Sequence, residues 1–358
     1  MNFWNNKKVL ITGHTGFKGG WLTLWLKILG AKVCGYSINP ITKPSFFKAV
    51  KLNKIIDEDH RKNIENFKDL KKIITKFKPE IIFHLAAQPQ VLESYDNPIS
   101  TINTNFNGTV NLLEILRTNK NVKSTVIITT DKVYKNDEKK QKFKEVDSLG
   151  GEDIYSSSKA CADIITNAYM KSFFLEKTCN VSTARAGNCI GGGDWTKYRI
   201  LTDAVNAFSK NGTLNLRNPN FRRPWQHLLE PLMGYILIAK KMYKNRGDKF
   251  CGAWNFGPDE KKHSTVFQLS KKLKKNMYSN SKIAILNSKK KLEKKYLSLD
   301  SSKAKKLIGW RPVLNENLAI KMTADWYLAF YNKENMLEFS KKQILSFEKI
   351  LKKNNYDL

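Results

Sequence analysis

The chain has 358 residues, 41% of them hydrophobic, with 63 Lys and Arg against 32 Asp and Glu, a formal net charge of +31. That length allows about two lobes around a sizeable core, and the apolar share excludes a disordered polyelectrolyte. The charge points first to nucleic acid, but the excess is mostly lysine, scattered among Asn, Asp and Glu in KNDEKKQKFK (135–144), NSKKKLEKKY (287–296) and LKKNNYDL (351–358); with no basic base-reading helix and no RNP-like aromatic motif, a solvated surface is the preferred reading.

In chain order, KKVLITG (7–13) reads as a short buried strand closed by glycine, GWLTLWLKILG (20–30) as a helix, and AKVCGYS (31–37) as a second strand. A strand, glycine-rich turn, helix and strand make a βαβ unit and imply a parallel sheet. The alternation continues with a helix at 66–79, a strand at 80–87, a long helix at 97–119, a strand at 123–130, a second long helix at 153–174 and a strand at 179–190. The expected fold is α/β, a Rossmann-type doubly wound parallel sheet with a smaller C-terminal substrate-binding lobe. The expected division is 1–188 for the dinucleotide domain, with a return to it at about 225–258. The substrate lobe takes 189–224 and 259–331, including helices at 266–275 and 317–331, and 332–358 is a helical tail with no assigned chemistry.

The five cysteines, Cys34, Cys161, Cys179, Cys189 and Cys251, include no C-x-x-C pair and are odd in number, so buried reduced thiols are expected. No signal-peptide pattern precedes the first strand and no apolar run approaches the roughly 18 residues needed to span a bilayer. A cytoplasmic protein is expected. His14, His60, His84 and His263 show no metal-ligand spacing, and no metal is expected. His227 reads as a packed histidine.

GHTGFKG places Gly13, Gly16 and Gly19 between the first strand and the first helix. Close backbone approach to a pyrophosphate needs positions without a Cβ, and the helix N-terminus adds free N–H groups and partial positive charge. The strand–turn–helix setting turns a weak glycine pattern into a dinucleotide site. The second strand ends Gly35-Tyr36-Ser37, without the acid that usually binds the adenosine ribose, so residue chemistry there leaves NAD against NADP open. Asp59 and Arg61 are candidates to flank the adenine.

Tyr155 and Lys159 share one helix face by their i, i+4 spacing. A lysine ammonium beside the phenol is expected to lower its pKa and make it an acid/base for a hydroxyl undergoing hydride transfer. Thr130, at the end of the preceding strand, is placed to hold that hydroxyl. Asp131 and Lys132 follow directly. In a straight strand they would point to opposite faces, so a shared role requires the backbone to turn just after Thr130.

With these stretches in view, the sequence resembles the extended short-chain dehydrogenase/reductases and, within them, the CDP-glucose 4,6-dehydratases over nearly its whole length. The resemblance is carried by GHTGFKGGWL (13–22), HLAAQP (84–89), TTDKVY (129–134), YSSSK (155–159), RAGNCIGGGDW (185–195) and RPWQHLLEPL (223–232). It departs at Leu92 and Glu93, where relatives often carry Arg, and at Cys189, where Val is usual and a mild core change is expected. It implies NAD, held at Gly13, Thr15, Gly16, Phe17, Lys18, Gly19, Asp59, Arg61, Leu85, Ala86, Ala87, Gln88, Thr129, Tyr155 and Lys159. It implies that Tyr155 takes the C4 hydroxyl proton, Lys132 removes the C5 proton and Asp131 protonates the departing C6 hydroxyl, giving a 4-keto-6-deoxy sugar for surface polysaccharides. Other 4,6-dehydratases carry Asp-Glu where this chain has Asp-Lys. Asp131 must be protonated and Lys132 neutral to act, so a desolvated pocket is required.

For the sugar diphosphate, Arg199, Arg217 and Arg223 in the Gly- and Trp-rich loops suit phosphate oxygens, and Gln88, Asn188 and Asn255 are further substrate candidates. The resemblance also implies a homodimer paired through the helices at 97–119 and 153–174. Two other readings stay open. A sugar-nucleotide epimerase or reductase would keep Tyr155 and Lys159 without needing Asp131 or Lys132, and a non-enzymatic dinucleotide- or nucleic-acid-binding protein would use the charge.

Overall fold

The computed structural model describes residues 2–138, 142–174, 179–244, 247–259, 263–286, 297–356 and 358; the basic run 287–296 lies outside them. Six segments form consecutive strands: β1 (Lys8–Thr12), β2 (Lys32–Ser37), β3 (Glu58–Arg61), β4 (Ile81–His84), β5 (Ser124–Ile128) and β6 (Asn180–Ala186). With a seventh strand, Gly252–Phe256, they make one sheet in the order Gly252–Phe256, β6, β5, β4, β1, β2, β3. Every pairing is parallel. Residues of β1, β4 and β5 are buried on both sides of the pleat, because helices cover both faces of a parallel sheet, and alternation disappears from the sequence.

One core contains Trp21, Trp25, Met233 and Ile236, from helices Phe17–Ile28 and Leu229–Tyr243. The other contains Leu70, Ile74, Leu112 and Leu116, from Phe67–Phe77 and Gly108–Thr118. β3 was not anticipated. Its sequence, Glu-Asp-His-Arg, carries no apolar signal, and it is an edge strand, where polar side chains face water.

The helix expected at 97–119 is broken into Pro98–Ile102, a π-helical turn Asn103–Asn107 and Gly108–Thr118. At that turn Asn105 reaches inward. Its Oδ1 accepts from the Gln88 backbone N–H (2.8 Å), and its amide donates to the Gln88 carbonyl (3.1 Å) and Ser158 Oγ (2.9 Å). Such turns mark places where a side chain must be aimed off the helical register. The helix expected at 153–174 is regular over Ile154–Tyr169 and ends in a second π-helical turn, Met170–Phe174. A short helix, Val91–Asp96, was not anticipated.

Beyond β6 the chain forms two small sheets. Cys189–Ile190 pairs with Gln226–His227, and Thr213–Leu216 with Lys282–Ile285. Helices Ile200–Phe208, Val266–Asn276 and Glu316–Tyr331 surround them. Between these pieces Leu229–Tyr243 and Gly252–Phe256 return to the main sheet. The C-terminal helix Met336–Lys353 packs back on the first helix: Trp25 Nε1 donates to Glu348 (2.8 Å), and the Trp25 and Phe347 rings meet edge to face. All five cysteines are free, but only Cys34 and Cys179 are buried; Cys189 and Cys251 are half-buried and Cys161 is exposed, so the expectation of buried thiols holds for two of the five. Among the described residues no helix is long and apolar enough to cross a membrane.

Candidate active site

Between the C-terminal ends of the strands and the loops after β6 lies a cleft of about 590 Å³. That is where an open α/β sheet places its ligands. Lys18, Thr129, Thr130, Asp131, Lys132, Tyr155, Asn188, Arg199, Arg217 and Arg223 all line it.

At the cradle, Gly13 and Gly19 are required by the protein itself. Gly13 has φ +78°, and a Cβ there would sit 2.6 Å from the Ala86 nitrogen; one on Gly19 would sit 2.2 Å from the Gly13 carbonyl. Gly16 differs. It is exposed, and a Cβ on it would meet only the Gly13 oxygen, at 3.3 Å. The fold does not demand glycine there, which leaves close approach of a ligand as the reason for it. Gly16 also caps helix Phe17–Ile28 with no side-chain cap and no acid in the first turn, so the helix end is left to an anion. These residues fit a dinucleotide pyrophosphate.

Thr15 Oγ1 pairs with Ser37 (2.9 Å) and donates to the Ile38 carbonyl (3.1 Å), tying the cradle to the end of β2. The nearest acid to the end of β2 is on its neighbour: Asp59 on β3 is in register with Gly35. Arg61 donates to it at 2.6 Å and His14 lies at 3.0 Å. Burial opposes its charge, yet these two hydrogen bonds hold Asp59 below the usual carboxylate range. Gly35 makes room for the His14 ring, 2.4 Å from where a Cβ would be.

The chain turns immediately after Thr130, in a single 3₁₀ turn over Asp131–Val133. Thr130 Oγ1 accepts from the Lys132 backbone N–H (3.4 Å) and donates to Asp131 Oδ1 (3.0 Å). Asp131 is buried and its Oδ2 has no partner. Gly187 stands next to that oxygen, where a Cβ would come within 3.1 Å of it. Burial pushes the Asp131 carboxyl above its ordinary pKa, against the pull of Lys132, the Thr130 hydrogen bond, Arg223 and Lys18. Burial thus favours the neutral form more than for an ordinary carboxyl, and one oxygen stays open to a ligand.

Tyr155 and Lys159 sit on one face of Ile154–Tyr169. Asp153 caps this helix at the Ser156 N–H (2.9 Å), and Ser94, from the short helix missed in the sequence, accepts from the Tyr155 N–H (3.2 Å). Lys159 is buried and donates to the Ile128 carbonyl (2.8 Å). Desolvation, then the charge of Lys18, pushes its pKa down to about 8, with Asp163 pulling it back. The expected lowering of the Tyr155 pKa is not found. Burial raises it, and the opposing influences are a hydrogen bond with Thr130 and the cations Arg199 and Lys18, not Lys159.

Two substrate candidates do not line the cleft. Asn255 is fully buried, accepting from Tyr134 Oη (2.7 Å) and donating to the Phe143 (2.9 Å) and Asp300 (3.2 Å) carbonyls; its bonding capacity is spent on holding loops together. Gln88 is engaged with Thr101 (2.8 Å) and the Gln90 carbonyl (2.9 Å), and Pro89 to Leu92 line the wall in its place. Cys189, expected as a core change, lines the cleft as well. The glycines of GGGDW serve packing: a Cβ on Gly192 would strike Trp326 at 2.0 Å. Asp194 of the same stretch holds Arg199 at 2.7 Å. His227 is fully buried, its pKa pushed down to about 3 by desolvation, and does not reach the cleft. His60 groups with Glu58 and Cys34 at the far sheet edge, but burial pushes the Cys34 thiol up, which disfavours the thiolate a metal needs.

A parallel sheet in this order, with Tyr155 at the cleft, Lys159 buried one turn further along the same helix face and a glycine cradle nearby, defines an enzyme of the extended short-chain dehydrogenase/reductase class. Residues 10–323 match the family model described as GDP-mannose 4,6 dehydratase, and the chain belongs to that family. It is 42% identical over 351 residues, 97% of each chain, to the CDP-glucose 4,6-dehydratase of Salmonella typhimurium. Two solved structures share its fold. The dTDP-glucose 4,6-dehydratase of Bacillus anthracis in complex with NAD has a TM-score of 0.76 at 22% identity, covering 92% of this chain and 99% of that one. The UDP-glucose 4-epimerase of Thermotoga maritima with UDP-glucose has 0.78 at 20%, covering 90% and 99%.

Proposed function

We propose that the chain is an NAD-dependent CDP-glucose 4,6-dehydratase, forming CDP-4-keto-6-deoxyglucose and water. The observation that carries this reading is Asp131: a buried carboxyl whose pKa burial raises, with one oxygen lacking a partner, on the same turn as Lys132 and bonded to Thr130. An epimerase or reductase has no need of a proton donor there.

NAD held at the glycine cradle would supply the acceptor for the C4 hydride and its donor to C6. The residues of this chain move the protons. Tyr155, hydrogen-bonded to Thr130, takes the proton of the C4 hydroxyl. The resulting ketone acidifies C5, and Lys132 removes that proton and gives it back to C5 when C6 is reduced. Asp131 gives its proton to the C6 hydroxyl, which leaves as water. Arg199, Arg217 and Arg223 lie along the cleft to meet the diphosphate. Lys18, at the first turn of the cradle helix, adds a cation between the two sites.

The test is mass spectrometry of CDP-glucose incubated with the protein and NAD. Loss of one water without net reduction of the cofactor is expected; an unchanged mass with an inverted stereocentre by NMR would move the reading to an epimerase. The same reading includes a homodimer through the helices around 97–119 and 153–174. It is supported by apolar side chains left in solvent on those helices, Ile99 at 74% exposure together with Ile102, Ile164 and Phe173. Sedimentation should give twice the chain mass at micromolar concentration, and a monomer would reject the pairing.

A further inference from the structure

One buried ion pair lies directly behind the turn that carries Asp131 and Lys132. Arg185 on β6 grips Asp163 with Nε at 2.8 Å and Nη2 at 2.7 Å. Both side chains are 4% exposed. The remaining capacity of the carboxylate is filled by Thr129 Oγ1 (2.9 Å) and Thr183 Oγ1 (3.0 Å). The other branch of the guanidinium, Nη1, donates to Tyr134 Oη (2.8 Å), whose ring lies 4.9 Å from the guanidinium carbon. Thr129 and Tyr134 are the first and last residues of Thr-Thr-Asp-Lys-Val-Tyr. The pair therefore holds both ends of the turn. Asp163 also belongs to the helix of Tyr155 and Lys159, one turn beyond Lys159, on the same face.

We propose that Asp163 and Arg185 are positioning residues for the elimination step: they fix the Asp131–Lys132 turn in register with the Tyr155–Lys159 face, so that both groups address the same sugar. A buried, fully bonded ion pair contributes little net stability over an apolar replacement and is well suited to setting geometry. Neither residue touches the cleft. Their action passes through Thr129 and Tyr134, and Asp163 also faces the Lys159 ammonium, which Lys18 faces from the cradle helix. The proposal rests on the dehydratase reading above.

The mild test is Tyr134→Phe, which leaves the Asp163–Arg185 pair intact and removes the hydroxyl that accepts from Arg185 Nη1 and donates to Asn255 Oδ1. Misplacing a catalytic group by about 1 Å costs on the order of a hundredfold. The expected result is a fall in kcat of about tenfold or more, KM for CDP-glucose within about twofold, and a melting temperature lowered by only a few degrees, the cost of leaving Asn255 Oδ1 without its donor. The deficit should sit in elimination: reduced nicotinamide should accumulate during turnover, because proton removal from the C4 hydroxyl by Tyr155, with hydride loss to the cofactor, continues while water loss lags. Asp163→Asn should show the same split and shift the pH profile, since Lys159 loses its only facing carboxylate among the groups acting on it; Asp163→Glu should restore part of it. A Tyr134→Phe protein with parental kcat, or one in which kcat and KM deteriorate together with the melting temperature, would overturn the proposal. Absence of water loss in the parent protein would instead reject the dehydratase reading.

Discussion

Asp131 is the residue on which the chemistry turns. With one oxygen bonded to Thr130 and the other buried without a partner, Asp131→Asn keeps the shape and removes the proton. General acid catalysis is worth about 10²–10⁴-fold, so kcat for water loss should fall by that range with substrate binding retained; near-parental turnover would mean the leaving hydroxyl is protonated elsewhere. Lys159 sets a pH limit. Its pKa stands at about 8, so the ammonium is present below that value and lost as pH rises through it. Activity that needs this charge should decline above about pH 8, and a flat kcat/KM profile to about pH 10 would show that the charge is dispensable. The spacing of Tyr155, Lys159 and Asp131 was legible because each chemistry imposes a local pattern. The roles of Asp163, Arg185 and Asn255 were not. Each is fixed by partners 20 to 121 residues away, and nothing local distinguishes a buried Asn that ties loops from one that meets a sugar.

At the scale of elements, the glycine cradle separates what the fold needs from what the ligand needs. Gly13→Ala and Gly19→Ala drive a Cβ into backbone, so both should fail to give a stable protein. Gly16→Ala meets only one oxygen at 3.3 Å and should fold with a near-parental melting temperature. Its methyl group occupies the side from which a pyrophosphate approaches, so cofactor affinity measured by titration should fall at least about tenfold, a loss of roughly 1.4 kcal/mol. Unchanged affinity would place the phosphates elsewhere. The strands and first helices were legible because burial on both faces leaves continuous apolar runs and glycine punctuates them. β3 and the π-helical turn at Asn103–Asn107 were hidden for opposite reasons. One is a polar edge with no apolar signal, and the other sits within a helical pattern whose interruption is caused by distant Gln88 and Ser158.

Across the whole molecule, the helix that returns the chain to the main sheet is joined to the segment before Glu316–Tyr331 by Glu230. Its Oε1 accepts from the Val313 (2.9 Å) and Leu314 (2.7 Å) N–H groups, its carbonyl accepts from Trp310 Nε1 (3.0 Å), and its Oε2 is buried without a partner. Burial pushes the carboxyl up to about 8, against those two N–H bonds. The folded pKa lies above the unfolded one near 4.5, so the protonated acid stabilises the fold fully below pH 4.5. That contribution is lost as pH rises through about 8, and over that window native Glu230 makes stability fall with pH. Glu230→Gln keeps an oxygen for both N–H groups, puts nitrogen where an oxygen already lacked a partner, and does not titrate. Its melting temperature should match the parent near pH 5 and exceed it increasingly toward about pH 8.5, where the parent carries up to about 4 kcal/mol of ionisation penalty. A parallel pair of melting curves across that range would show that Glu230 ionises in the folded protein without cost, and that this contact is not the pH-sensitive one.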